Sequence, residues 1–329
     1  MVGLLSGDGE RSLDAAITSL HLGGVVYLGG WDGSGTVAAA SQHVQGRTGP
    51  QGTADIGLLV AADQEGGQVL QLRPPGFTAV PSALSMGAQG AAATTSYGAT
   101  IGRQLKAAGV NVDLAPVADT VPAALGRGNG PIGRYDRQFG SDPTTVARGV
   151  QAFVTGLRSA GVVATVKHFP GLGRITANTD TSSAGTTDTQ TTATDAYLQP
   201  FVTGVAAGAQ LVMVSSATYA RIDGSQPAVF SRTVVTDLLR GRLGYGGVVV
   251  TDDVGVAAAV ASVPAGDRAV RFVDAGGDIV LSASLSAAQA MAASMQARYA
   301  ADPAFAAKVD ASVGRVLALK QGMGLLPCG

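Results

Sequence analysis

A chain of 329 residues with 46% hydrophobic and 14% charged content can bury a large core, which excludes a disordered protein. Its 47 glycines follow no strict period, which excludes collagen-like and low-complexity chains. A formal net charge of −1 with no basic stripe gives no reason to expect nucleic acid as a partner.

Residues 13–22 carry helix-compatible apolar spacing, and 25–28 (VVYL) read as a short buried strand. A second apolar run, 56–61, ends in Asp63-Gln64-Glu65-Gly66-Gly67. Residues 91–108 predict a helix and 110–117 a strand ending near Asp119. Residues 144–160 predict a helix leading into 162–166 (VVATV), a continuous run typical of a buried parallel strand. Helices at about 198–207, 234–242 and 268–275 precede strands at 211–214, 248–250 and 279–281, and helical patterns continue to Lys320.

This alternation predicts an α/β protein with a parallel sheet. Seven strands are clear, and an eighth has no placement. The strands tend to end in polar residues: Asp63, Asp119, Lys167, Ser215, Asp252 and Ser282. That recurrence predicts a (β/α)8 TIM-type barrel, where all strands aim their C-terminal ends at one site. The alternative, a doubly wound open sheet, lacks a Gly-rich phosphate loop after its first strand. No composition shift marks a second domain, so residues 1–329 are expected to form a single barrel domain, and a monomer.

No stretch reaches the apolar length of a membrane span, and the start of the chain lacks a signal-peptide pattern. The compartment stays open between the cytoplasm and an exported, cell-envelope location. One cysteine, Cys328, excludes an intrachain disulfide framework and a Cys-based zinc site.

Three clusters can carry chemistry. Lys167-His168 ends a buried strand and precedes a long loop, 171–194, whose Gly, Thr and Asn content and lack of apolar anchors predict mobility. Asp252-Asp253 ends another strand; Asp252 takes the functional role and Asp253 the N-cap of a following helix. Asp63 and Arg137 lie in DQEGG and GRYDRQFG, where a carboxylate and a guanidinium can hydrogen-bond a polar ligand. Only three histidines, His21, His43 and His168, are present, without ligand spacing, and no Gly-x-Ser-x-Gly elbow occurs. The expectation is a carboxylate site with no metal and no cofactor, suited to glycoside chemistry.

ADQEGG (62–67), NVDLAPVAD (111–119), GRYDRQFGSDP (133–143), KHFPGLG (167–173) and VVVTDD (248–253) together resemble glycoside hydrolase family 3. The likeness runs in order over nearly the whole chain, closest to the short branch of β-N-acetylglucosaminidases. It implies a cofactor-free retaining enzyme that removes terminal β-linked GlcNAc from carbohydrate substrates such as peptidoglycan-derived, muropeptide-type fragments. Asp252 would then be the nucleophile, while Asp63, Arg137, Lys167 and His168 would bind the sugar. The family's Asp-x-His dyad reads Asn178-Thr179-Asp180 here, and no histidine follows His168. Leu172 and Ser216 also stand where many relatives have His. Three explanations follow: Asp180 is the acid/base, Asp188 swings in, or the donor is lost and the protein binds sugar with impaired turnover. A family-3 β-glucosidase or a phosphorylase are the other readings.

Overall fold

The structure, a computed structural model, describes residues 1–327; Cys328 lies outside the described residues. Eight strands pair in chain order into one parallel sheet. They are β1 (Val2–Leu5), β2 (Gly24–Leu28), β3 (Leu59–Ala62), β4 (Val112–Asp113), β5 (Val163–Phe169), β6 (Leu211–Val214), β7 (Val248–Asp253) and β8 (Ile279–Leu281). The sheet closes on itself, since Gly3 N donates to Ser282 O at 2.9 Å and Ser282 N to Met1 O at 3.1 Å. The strand that the sequence left unplaced is β1. Four residues that include a glycine are too short to carry a periodic signal. β5 runs on through Lys167 and His168, so these residues are in the strand rather than after it.

Besides two short helices at Ala83–Gln89 and Ala220–Asp223, the helices are α1 (Asp14–Ser19), α2 (Ser34–Gln45), α3 (Ala91–Ala107), α4 (Pro143–Ser159), α5 (Gln199–Ala206), α6 (Ala265–Ala275), α7 (Leu285–Ala301) and α8 (Pro303–Gly322), with a π-helical segment at Thr233–Arg242. Several starts are set by side chains. The Asp142 carboxylate accepts from Thr145 N at 2.9 Å ahead of Pro143, and Ser284 and Asp302 cap α7 and α8 in the same way. The sequence reading missed α2, whose buried stripe (Val37, Ala40, Ser41, Val44) is diluted by small and polar residues. α3 and α4 approach at backbone distance, and a Cβ on Gly156 would lie 2.4 Å from Thr95 O. This contact seats α4 and with it the start of β5.

Two apolar layers follow from strand alternation. One side of the strands fills the barrel lumen with Val26, Leu59, Ala61, Val163, Met213 and Val250, closed from below by Leu319 of α8. The other side packs into a larger cluster with the helices. Extending the lumen-facing set in steps of two, Ala61 leads to Asp63, Val163 through Thr165 to Lys167, and Val250 to Asp252. Strand periodicity alone brings these three ionisable groups to one mouth of the barrel.

Candidate active site

Six of the residues singled out from sequence, Asp63, Arg137, Lys167, His168, Asp180 and Asp252, line one cleft of about 530 Å³ at the C-terminal ends of the strands. A roomier hollow of about 640 Å³ lies elsewhere, walled by apolar side chains such as Leu22, Met291 and Val316. Its one carboxylate, Asp278, is already bonded to Arg240 at 2.6 Å and Arg315 at 2.8 Å. The chemistry therefore belongs to the smaller cleft.

Its floor is an ion network. The Lys167 ammonium pairs with Asp63 and, at 2.6 Å, with Glu65 Oε1. Arg137 grips Glu65 with both ends of its fork, Nε to Oε2 at 2.8 Å and Nη2 to Oε1 at 2.7 Å, and donates Nη1 to Pro131 O at 2.9 Å. Burial would strip the proton from Lys167, but Asp63 and Glu65 overcome it and hold the ammonium above the ordinary lysine range. Burial likewise acts to raise Glu65, yet Arg137 and Lys167 hold its carboxyl well below the usual range. Beneath them, burial pushes Asp113 well above the normal aspartate range although it accepts from Gln64 N at 3.0 Å. Glu65 was missed as a site residue, although its i, i+2 spacing from Asp63 places both on one face of the chain.

His168 is oriented by a second residue that the sequence reading left without a role. Its Nδ1 lies 2.7 Å from Asp119 Oδ2, while Asp119 Oδ1 accepts from Leu172 N at 2.7 Å. With Asp119 fully buried behind it, His168 presents its other face to the cleft. The peptide joining Lys167 to His168 is cis.

Asp252 is different from its neighbours. Among the described residues its carboxylate accepts one hydrogen bond, from Asp253 N at 2.9 Å, and no cation is bonded to it. Burial raises it to about 6; the charge of His168 opposes this and that of Asp180 adds to it. The helix N-cap role expected for Asp253 is not observed. Its Oδ1 accepts from Gly255 N at 2.7 Å and Ala283 N at 3.0 Å, tying the end of β7 to the residues after β8. β7 shifts register between Val250 and Asp253, and both carboxylates line the cleft instead of the single one that strand alternation predicts.

Asp180 is exposed at the cleft mouth. The loop that carries it has the apolar anchors that the sequence reading did not find, Leu172 and Ile175, both buried. Gly173 is held so closely that a Cβ there would lie 1.8 Å from Thr120 O. Arg174 pairs with Asp195 at 2.6 Å and lies 3.6 Å from the centre of the Tyr197 ring. Asp188, the alternative donor, is buried and fully engaged, accepting from Gln190 N at 2.7 Å, Thr191 N at 2.9 Å and Thr191 Oγ1 at 2.6 Å. It caps a turn and does not line the cleft.

Fold and site together define a closed (β/α)8 barrel with a carboxylate-centred cleft at the C-terminal rim of its strands. Residues 4–319 match the model of the glycosyl hydrolase family 3 N terminal domain. The chain belongs to glycoside hydrolase family 3. It is similar to a solved β-N-acetylhexosaminidase from Beutenbergia cavernae DSM 12333, at 45% identity and a TM-score of 0.94 over 98% of this chain and 96% of that one. A family 3 β-N-acetylglucosaminidase from Paenibacillus sp. FPU-7 is 30% identical with a TM-score of 0.83, over 100% of this chain and 62% of that one. A curated β-hexosaminidase of Xanthomonas oryzae pv. oryzae is 38% identical over 231 residues, 68% of this chain and 66% of the relative. The match thus spans just under two thirds of that relative's length. No helix of the described residues is long and apolar enough to cross a membrane.

Proposed function

We propose that this chain, as a single barrel domain, is a retaining exo-β-N-acetylglucosaminidase that removes terminal β-linked GlcNAc, with peptidoglycan-derived fragments as its substrate class. The observation that carries the reading is Asp252: a carboxylate with no bonded cation at the end of a strand, beside Asp63, Lys167, Arg137 and His168, which are all held in ion pairs. An unpaired carboxylate is free to attack, while paired ones are positioned to bind. The names borne by the Beutenbergia and Xanthomonas relatives support the sugar.

In this reading Asp63, Lys167, Arg137 and His168 bind the hydroxyls and the acetamido group of the terminal sugar. An Asp252 oxygen bonds to the anomeric carbon as the bond to the leaving oxygen breaks, and Asp180 gives that oxygen a proton. Water then attacks the anomeric carbon, returning its proton to Asp180 and releasing Asp252. Asp180 and Asp253, the cleft carboxylates that stay free while Asp252 is esterified, repel an anionic acceptor, which favours water over phosphate. The exposure of Asp180 favours one second reading, a sugar-binding protein with impaired turnover, because an acid works best when desolvated.

Hydrolysis of 4-nitrophenyl β-GlcNAc and of an unactivated GlcNAc disaccharide separates the two. The enzyme reading expects both to be cleaved, with Asp252→Asn inactive on both. Turnover of the aryl glycoside alone favours the binding protein, and full activity of Asp252→Asn overturns the assignment of the nucleophile.

A further inference from the structure

Asn129 lies in the segment between β4 and α4, and none of it is exposed. Its amide is saturated. Nδ2 donates to Leu172 O and to Ile175 O, each at 2.8 Å, while Oδ1 accepts from Ile132 N at 3.0 Å and Gly133 N at 2.8 Å. Two hydrogens and two lone pairs are the full capacity of an asparagine side chain. The two carbonyls belong to the loop that leads to Asp180, and the two amides to the segment that ends in Arg137. Gly130 N adds a bond to Thr176 O at 3.2 Å.

The far end of the same loop is held as well. Ala259 N donates to Thr179 O at 3.0 Å and Ala258 N to Asp180 O at 3.1 Å, tying the acid-bearing tip to the residues that follow Asp252. Asp180 N closes a turn on Asn178 Oδ1 at 3.0 Å. One end of the loop is thus fixed to the arginine segment by the Asn129 side chain and one backbone bond. The other is fixed by backbone bonds beside the nucleophile.

We propose that Asn129 is a positioning residue that acts through Asp180, setting where the Asp180 carboxyl stands over the cleft relative to Arg137 and Asp252. This rests on the reading of Asp180 as acid/base. Proton transfer requires hydrogen-bond reach to the leaving oxygen, and a displacement of about 1 Å can cost about 10²-fold. Sealed from the cleft, Asn129 touches no substrate, and a change at Nδ2 that leaves Oδ1 holding the arginine segment acts on the steps that need the acid.

Asn129→Asp keeps the shape and the acceptor but turns an oxygen toward two carbonyls in place of the donors. Asn129→Ser is the smaller perturbation and carries the same comparison if the first variant does not fold. The expected result is a loss of about 10–100-fold in kcat/KM on the GlcNAc disaccharide, with kcat/KM on 4-nitrophenyl β-GlcNAc changed less than about threefold. Hydrogen exchange over residues 172–182 should rise, and adding Asn129→Asp to Asp180→Asn should cost nothing further on the disaccharide. Equal losses on both substrates, or unchanged exchange, overturn the inference. If Asp180→Asn itself leaves the disaccharide unaffected, the reading of Asp180 as acid fails, and the role of Asn129 falls with it. A failure of the inference alone shows an active-site loss at Asp180 without a matching one at Asn129.

Discussion

The two sides of the cleft are built differently. The strand-end side is made of side chains that fix one another: Asp63, Glu65, Lys167 and Arg137 form one buried network, and Asp119 holds His168. On the loop side, Asp180 is exposed and is placed by backbone hydrogen bonds of the chain around it. In the proposed reading, binding geometry is therefore a property of charged side chains on a rigid barrel. The geometry of Asp180, the acid of the proposed mechanism, is a property of how a loop is pinned. Mutations on the two sides should fail in different ways.

The largest effect belongs to the strand side. Asp252→Asn should lower kcat/KM on 4-nitrophenyl β-GlcNAc by on the order of 10⁴-fold, as loss of a central catalytic group does elsewhere. The same change should stabilise the fold. A carboxylate raised to about 6 by burial opposes folding once pH exceeds its unfolded value of about 3.9. The penalty is complete above about pH 6 and absent well below pH 4, so the variant should melt a few degrees higher at pH 7 and no higher at pH 3. Melting curves at the two pH values check this.

Asp180→Asn comes next and sharpens the contrast. It should cost about 10²–10⁴-fold in kcat/KM on the GlcNAc disaccharide and little on the aryl glycoside, whose leaving group scarcely needs a proton. Steady-state kinetics on the pair of substrates read the difference directly.

Glu65→Gln should break the binding side without touching the acid. It removes the charge shared by two buried cations, at a cost of about 3–5 kcal/mol in stability, and it should raise KM on both substrates alike. Arg137 and Lys167 hold Glu65 below its unfolded value of about 4.3, so its stabilisation is full above that pH and is lost in acid. The gap in denaturant midpoint between wild type and variant should narrow as pH falls.

The smallest effect couples the two sides. The acid limb of kcat/KM for the aryl glycoside should fall near pH 6, where Asp252 must ionise to attack. Because the charge of Asp180 is one cause of that elevation, the limb should move to lower pH in Asp180→Asn. An unmoved limb would mean that the two carboxylates do not sense each other.

The same division governs what could be read from the chain. Strand ends were legible because a β-branched run that stops at an ionisable residue has only one economical fold, and alternation then aims Asp63, Lys167 and Asp252 at one mouth. Glu65 was within reach by the same alternation. Asp119 was visible as a strand end, but its partner His168 lies 49 positions away and nothing in either sequence environment links them. Loop geometry was not legible. Asn129 works on carbonyls, which every residue carries, so its role leaves no pattern of residue types. Leu172 and Ile175 were overlooked as anchors because two isolated apolar residues in a polar stretch have no period. Asp188 looked available for the same reason, since a turn cap made of backbone amides is invisible in composition.

The central claim is a covalent glycosyl-enzyme on Asp252. The direct measurement is peptide mapping by mass spectrometry of Asp180→Asn after incubation with 4-nitrophenyl β-GlcNAc. On the proposed mechanism the intermediate should form readily in that variant and break down slowly, for lack of a base. The account predicts one N-acetylhexosamine on Asp252. Continued turnover with no adduct, or an adduct on any other side chain, would contradict it.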